Sequence, residues 1–142
     1  MDAHIGELQQ RLQAAHTRFV QVAEQLDPAR HNQMGVCGEW SPKDVAAHLV
    51  GWDASLKQLI VDIENFEPPY DVHAFNQHSV ESRTDRTWGE VMTELAVNFT
   101  ELIEALTSVT PEMQIYDRVT SWLAGRIADY ELHTGQIESW IA

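Results

Sequence analysis

The sequence predicts an all-α fold, a four-helix bundle, and three observations predict it. Apolar residues recur at alternating steps of three and four along four separate segments. Capping residues or prolines bound most of those segments. No stretch alternates with the period of two that a half-buried strand needs. At 142 residues the chain has the length of one ordinary domain, so residues 1–142 are expected to share a single core.

The elements follow in order. Ile5, Leu8, Leu12, Ala15, Phe19, Val22 and Leu26 trace the seam of a first helix, closed by Asp27-Pro28 because proline disfavours helical geometry at the residue before it. A loop carrying Pro28, Gly35 and Gly38 runs through Trp40. Ser41 is a good N-cap for the second helix, Pro42 suits its first position, and Asp44 stands where a capping box wants an acid. The seam there reads Val45, Leu49, Trp52, Leu56, Leu59 and Ile63, with Glu67-Pro68-Pro69 as the stop. Tyr70 to Arg86 is polar and reads as a crossover with a partial helix. It is too long for a tight turn, so the topology should depart from simple up-down-up-down. Thr87 and Glu90 form a second capping box, opening a helix with Trp88, Val91, Leu95, Phe99, Leu102 and Leu106 on its apolar face. Thr110-Pro111 breaks it. The last helix is expected from Val119 or Thr120, with Leu123, Ile127, Tyr130, Ile137 and Ile141 in its stripe and Thr134 in the gap.

Charge narrows the function classes. Nine Lys and Arg stand against 22 Asp and Glu, a net −13. Such a body repels phosphate backbones and anionic membrane surfaces, so neither nucleic acid nor membrane is an expected partner. The single cysteine, Cys37, excludes an intramolecular disulfide and any zinc site built on paired cysteines. Met1-Asp2-Ala3-His4 lacks the positive and apolar regions of a signal peptide, and no apolar run nears the ~20 residues of a membrane span. A soluble protein of the reducing cytoplasm is expected.

The residues that could carry chemistry lie on a second stripe of the last helix: Trp122, Arg126, Asp129, His133, Gln136 and Trp140. Asp129 and His133 are one turn apart, roughly 6 Å between Cβ atoms, a spacing that suits two ligands on one metal. The second helix offers His48 beside its seam, with Trp52 one turn later. A His from one helix and an Asp-x-x-x-His from another can meet inside a bundle, and three ligands with an open fourth position make a catalytic type of site. Such an ion brings a bound water to a pKa of about 7 or holds a thiol as thiolate. Two imidazoles must shed protons to bind, and free imidazole has a pKa of about 6.5, so occupancy should fall below that pH.

Plainer readings stand beside these. Asp-x-x-x-His is common on helices, and a histidine next to a seam is often satisfied by a carbonyl. Cys37, between Gly35 and Gly38 with no His or Lys adjacent, reads as structural. His4, His16, His31, His73 and His78 read as surface or loop residues, with His73 and His78 able to approach a cavity at the bundle end. Most tryptophans read as core anchors; Trp52 and Trp140 could wall a pocket. Trp122 and Trp140 lie off the apolar seam, where they either cap the bundle or anchor a partner, and a homodimer through helix faces is expected on that basis. Serine-histidine elbows, P-loops and dinucleotide glycine patterns are absent from the sequence.

At Gly38-Glu39-Trp40-Ser41-Pro42-Lys43-Asp44-Val45-Ala46-Ala47-His48-Leu49 the sequence resembles the opening of the second helix in the DinB/YfiT-like superfamily. Asp129-Tyr130-Glu131-Leu132-His133-Thr134-Gly135-Gln136-Ile137 resembles its last helix, and Phe75-Asn76 through Arg86-Thr87-Trp88 its entry to the third. That superfamily includes metalloenzymes and the metal-binding domain of mycothiol-dependent maleylpyruvate isomerase. The resemblance implies a bundle of that type with a divalent metal, zinc, nickel or iron, held by a His on the second helix and a His-x-x-x-His pair on the last. By position these become His48, Asp129 and His133. The first His of the late pair is Asp here, as in the mycothiol isomerase relatives, and the carboxylate lowers the net charge of the site by one unit. The implied function is a metal-dependent enzyme acting on a small electrophile, either as thiol-dependent transferase or isomerase with a low-molecular-weight thiol as co-reactant, or as hydrolase with an activated water. Trp52 and Gln136 would line the pocket or orient the ligands. The ClbS/DfsB-like branch implies an alternative, a metal-free protein that binds small molecules for self-protection, and a dimeric bundle without activity is a third.

Overall fold

The computed structural model describes residues 1–141. Among them are five helices and no named strand: α1 (Ala3–Ala23), α2 (Pro42–Val61), α3 (Val72–Glu81), α4 (Trp88–Leu106) and α5 (Tyr116–Glu138). The four long ones form the bundle, and α3 lies on the crossover. Both capping boxes are formed, Ser41 with Asp44 and Thr87 with Glu90. A good N-cap stabilises a helix by about 1 kcal/mol, so these fix where α2 and α4 begin. The α1 seam from Ile5 to Leu26 is buried throughout, as are Val91, Leu95, Phe99, Leu102 and Leu106 of α4.

Helix bounds differ from the sequence reading at three places: α1 ends at Ala23, so Leu26 of its seam packs from beyond the helix, and the other two are in α2 and α5. Helix α2 stops at Val61, because Asp62 leaves helical geometry (φ −148°, ψ 60°); Ile63 then falls in a 3-10 turn and is exposed rather than in the seam. Helix α5 starts at Tyr116, ahead of the expected Val119 or Thr120. Ile115 at its N-cap makes no side-chain cap bond, so no local signal marks this start. The partial helix on the crossover is α3, capped by Asp71 on the Ala74 amide.

Side-chain contacts set the directions. Lys43 Nζ, at the start of α2, donates to the carbonyls of Thr84 and Arg86 beside the start of α4, and Lys57 near its end pairs with Glu101. Helices α2 and α4 are therefore parallel neighbours. Asp2 meets Tyr116 and Arg18 meets Glu138, so α1 and α5 are parallel neighbours too. The two pairs oppose each other: Gln9 bonds the Ile103 carbonyl and Asp53 pairs with Arg126. This leaves α1 diagonal to α2, and α4 diagonal to α5. The departure from up-down-up-down thus comes from parallel neighbours on either side of the crossover. To start α4 beside the start of α2, the chain must return along the ~30 Å of a 20-residue helix, and α3 occupies that return.

Close approach seats α3. A Cβ on Gly51 of α2 would lie 2.1 Å from Ser79 Oγ and 2.8 Å from Ser79 Cβ, so only glycine admits α3 this near. Arg83 grips Glu94 through two bonds of 2.9 and 3.0 Å and Arg86 adds a third, locking the turn into α4. Trp122 and Trp140, expected either to cap the bundle or to anchor a partner, are both half-buried against their own chain. Trp122 packs on Trp52 and Phe66, and Arg30 lies 4.6 Å over the Trp140 ring. No helix of the described residues is long and apolar enough to cross a membrane.

Candidate metal centre

Helix α2 presents one face to α5 and to α3, and its register decides what meets there. Steps of three and four allow either Leu49–Trp52–Leu56 or Leu49–Asp53–Leu56. The apolar reading places Trp52 in the seam; the structure places Asp53 there, fully buried, and leaves Trp52 half-buried beside α3. Across from Asp53 stands Arg126 of α5, 3% exposed, its Nε 2.8 Å from Asp53 Oδ1. Tyr130 donates its hydroxyl to the other Asp53 oxygen. Burial pushes the Asp53 carboxyl above the usual carboxylate range, against the opposing pull of Arg126 and the Tyr130 bond.

One turn away the three residues expected to bind metal come together. One ligand atom each from His48, Asp129 and His133 lies within 4.8 Å of the others. His48 Nε2 is 2.9 Å from Asp129 Oδ2, and His133 Nε2 is 3.1 Å from Asp129 Oδ1. Arg126 Nη1 also bonds Asp129 Oδ2 at 2.6 Å, so the guanidinium bridges the two carboxylates. Burial alone would raise the Asp129 carboxyl. The hydrogen bonds from His133 and His48 and the Arg126 charge overcome it and hold the group well below the usual range.

The far side of each imidazole fixes its orientation. Trp52 Nε1–H can only donate, and it lies 2.7 Å from Asn76 Oδ1; that atom is therefore an oxygen. His48 Nδ1 is 3.0 Å from the same oxygen and must donate as well. His48 thus holds a proton on Nδ1 and turns Nε2 to the centre, where it donates to Asp129 when the ring carries both protons and offers its lone pair to an ion when that second proton is lost. His133 Nδ1 lies 2.7 Å from Gln136 Oε1. An imidazole whose outer N–H is held by an oxygen is the usual arrangement of a metal-ligating histidine. Two nitrogens and one carboxylate form a donor set suited to zinc or a neighbouring divalent ion. Donors about 2 Å from a tetrahedral ion lie about 3.3 Å apart, near the 2.9 and 3.1 Å from the two imidazoles to the two Asp129 oxygens. The residues present fit the ion.

The structure brings His48, Asp129, His133, Trp52 and Gln136, the residues singled out in the sequence, to one place. Sequence reasoning missed Asn76, which reaches the site from the crossover; its one signal was its place in the Phe75-Asn76 resemblance. It also missed Asp53, whose signal was a lone acid at a spacing that fits the seam. His16 and His31 were expected at the surface or in a loop; His31 lies in the loop before α2, half-buried, whereas His16 is half-buried on α1. His16 stacks on Phe99 at 3.7 Å with Nδ1 3.1 Å from the Tyr130 hydroxyl, and burial lowers its pKa to about 4. His31 stacks on Trp88. Cys37 is half-buried in its loop, where Gly35 and Gly38 take positive φ.

Comparison with known proteins follows this geometry. The sequence profile described as the mycothiol maleylpyruvate isomerase N-terminal domain matches residues 12–138. No curated protein matches the chain. Among solved structures it is similar to an uncharacterised protein of Escherichia coli UTI89, with a TM-score of 0.81 and 14% identity over 96% of this chain and 91% of that one. At that identity the likeness concerns the helical fold alone.

Proposed function

The chain belongs to the family of the mycothiol maleylpyruvate isomerase N-terminal domain, a DinB/YfiT-like family, and from that premise we propose that His48, Asp129 and His133 hold a divalent metal for chemistry on a small electrophile. The supporting observation is that both imidazoles have their Nδ1 engaged by amide oxygens while their Nε2 atoms face one carboxylate. A divalent ion there supplies Lewis acidity, able to hold a thiol as thiolate or to acidify water. The protein's own residues do the rest. Asn76 and Gln136 hold the ligand tautomers. Arg126 fixes the Asp129 carboxylate and draws off part of its charge, so the set is a weaker donor than a free carboxylate with two imidazoles. The reaction is thiol-dependent transfer or isomerisation, or hydrolysis, on a small molecule entering beside His48 and Asp129.

One observation favours the metal-free alternative, a binding pocket for self-protection. Among the described residues no buried side-chain polar atom lacks a partner. Asp129 can accept protons from both Nε2 atoms, so the cluster also closes on itself with the imidazoles protonated. Elemental analysis of untagged protein separates the two. About one equivalent of zinc, nickel or iron per chain, lost in His48→Ala and removed by a chelator, is the expected result. Metal at background level in both proteins would leave the binding pocket as the function.

A further inference from the structure

A cavity of about 430 Å³ opens beside His48 and Asp129, within the 300–1,000 Å³ typical of small-molecule sites. Its walls come from three helices: Trp52 from α2, Val72 and Asn76 from α3, Trp122 and Leu132 from α5. Trp52 and Trp122 meet edge to face at 5.9 Å and present ring surface to the space. Leu132 and Val72 are 58% and 54% exposed, so the apolar lining continues to the mouth. The charged groups in the lining are already committed to one another. Arg126 gives its donors to Asp53, Asp129 and the Leu49 carbonyl. Arg118 lies over the Phe66 ring and is not part of the wall. Apart from an ion held at His48, Asp129 and His133, a dianion would find no uncommitted cationic side chain in this wall among the described residues, on a chain of net charge −13.

Beside the Trp122 indole N–H, which bonds no protein group among the described residues, the wall offers an amide donor. Asn76 Oδ1 accepts from both Trp52 and His48, which leaves its amide nitrogen without a partner among the described residues. Asn76 therefore faces a ligand as a hydrogen-bond donor, next to the metal ligands, at the edge of an aromatic wall. A pocket of this kind orients by one polar contact and gains affinity from ring surface.

We propose that the cavity takes an uncharged, aromatic-bodied compound with one hydrogen-bond-accepting oxygen, such as an aryl ketone or amide, its ring against Trp52 and Trp122 and its oxygen toward the Asn76 amide. This deepens the metal-enzyme reading by naming its substrate class and rests on that reading for the chemistry, whereas binding itself needs no ion.

The test is a titration of the full chain, with and without zinc, by 2-acetonaphthone, by 2-ethylnaphthalene and by maleate. The five indole N–H resonances report where each binds, after assignment with Trp→Phe variants. The ketone saturates and shifts Trp52 and Trp122, binds about five-fold or more tighter than the hydrocarbon, and maleate shifts neither. Leu132→Glu, at an exposed position of the wall, weakens the ketone about five-fold or more, while Val97→Glu on exposed α4 surface does not. Asn76→Ala removes the preference for ketone over hydrocarbon. Maleate shifting the same two indoles, ketone shifts centred on Trp88 or Trp140, or a Leu132→Glu chain of unchanged affinity would overturn the proposal. A chain that takes the ketone but no zinc overturns the metal reading alone; one that takes zinc but no ketone overturns this proposal alone.

Discussion

Arg126 shows how much rests on one side chain. It is nearly inaccessible, and its charge is balanced by Asp53 on α2 and Asp129 one turn along its own helix. The worth of such a group lies mostly in what its removal leaves behind. Arg126→Gln keeps most of the bulk and strands Asp53 without a counter-charge in a fully buried position, which costs about 3–5 kcal/mol. Asp53 can escape that cost only by taking a proton, since burial already pushes its carboxyl upward. A carboxyl whose folded pKa is raised contributes stability at low pH and loses it as pH rises through the folded value. The urea midpoint of Arg126→Gln should therefore lie far below wild type at pH 8 and approach it on acidification. Adding Asp53→Asn should recover much of the loss at pH 8. A variant within about 0.5 kcal/mol of wild type at pH 8 would show that the pair carries no such weight.

At the scale of elements, α3 is the part that completes the site. It carries Asn76, and the depth of its docking is set by Gly51, one turn from His48. In Gly51→Ala the new methyl meets Ser79 Cβ, which is fixed to the α3 backbone and cannot swing away. Overpacking of this kind costs about 1–3 kcal/mol, and here it acts by lifting α3 off α2. The bond from His48 Nδ1 to Asn76 should lengthen with it, so metal affinity falls by about 10-fold or more, the usual effect of losing an outer-shell partner. Competition against a chromogenic chelator measures the affinity and a thermal scan the stability. Pairing Gly51→Ala with Ser79→Gly should restore both; Gly51→Ala with unchanged metal affinity would show that α3 does not position the ligands.

For the whole molecule, acid sensitivity is set in two separate windows. His16 stays unprotonated in the folded chain down to about pH 4, because burial against Phe99 and Tyr130 disfavours its cation. In the unfolded chain an imidazole takes its proton below about pH 6.5. Between those values the unfolded state holds the extra proton, so stability falls as pH drops from about 6.5 toward 4 and is flat in this respect above 6.5. The acids held low by their partners, Asp129 and Glu94, act in a lower window, losing their contribution as pH falls below the ordinary carboxylate range. Loss of net negative charge on acidification relieves self-repulsion and works the other way. Comparison with His16→Phe isolates the first effect, since the phenyl ring keeps the stack on Phe99 and does not titrate. Wild-type Tm should fall more steeply than the variant's between pH 6.5 and 4.5, and parallel curves would place the acid sensitivity elsewhere.

The sequence by itself determined the four long helices, short of the start of α5 and the ends of α1 and α2, three of the four bundle seams in close detail, and the choice of His48, Asp129 and His133 as candidate ligands. These are local or periodic properties: a capping box is written within four residues, and a shared helix face within one turn. The trio needed the family resemblance as well, because Asp-x-x-x-His on one helix does not say which histidine of another will meet it. Only the tertiary structure decided the rest. Whether Trp52 or Asp53 enters the α2 seam is a choice between two equally periodic readings, and it is settled by Arg126 waiting across the interface. Which helices are neighbours depends on a crossover whose helix has little local signal beyond the Asp71 cap. Asn76 and His16 act through partners 28 and 114 residues away in the chain, and no pattern within one segment can encode a contact at that distance.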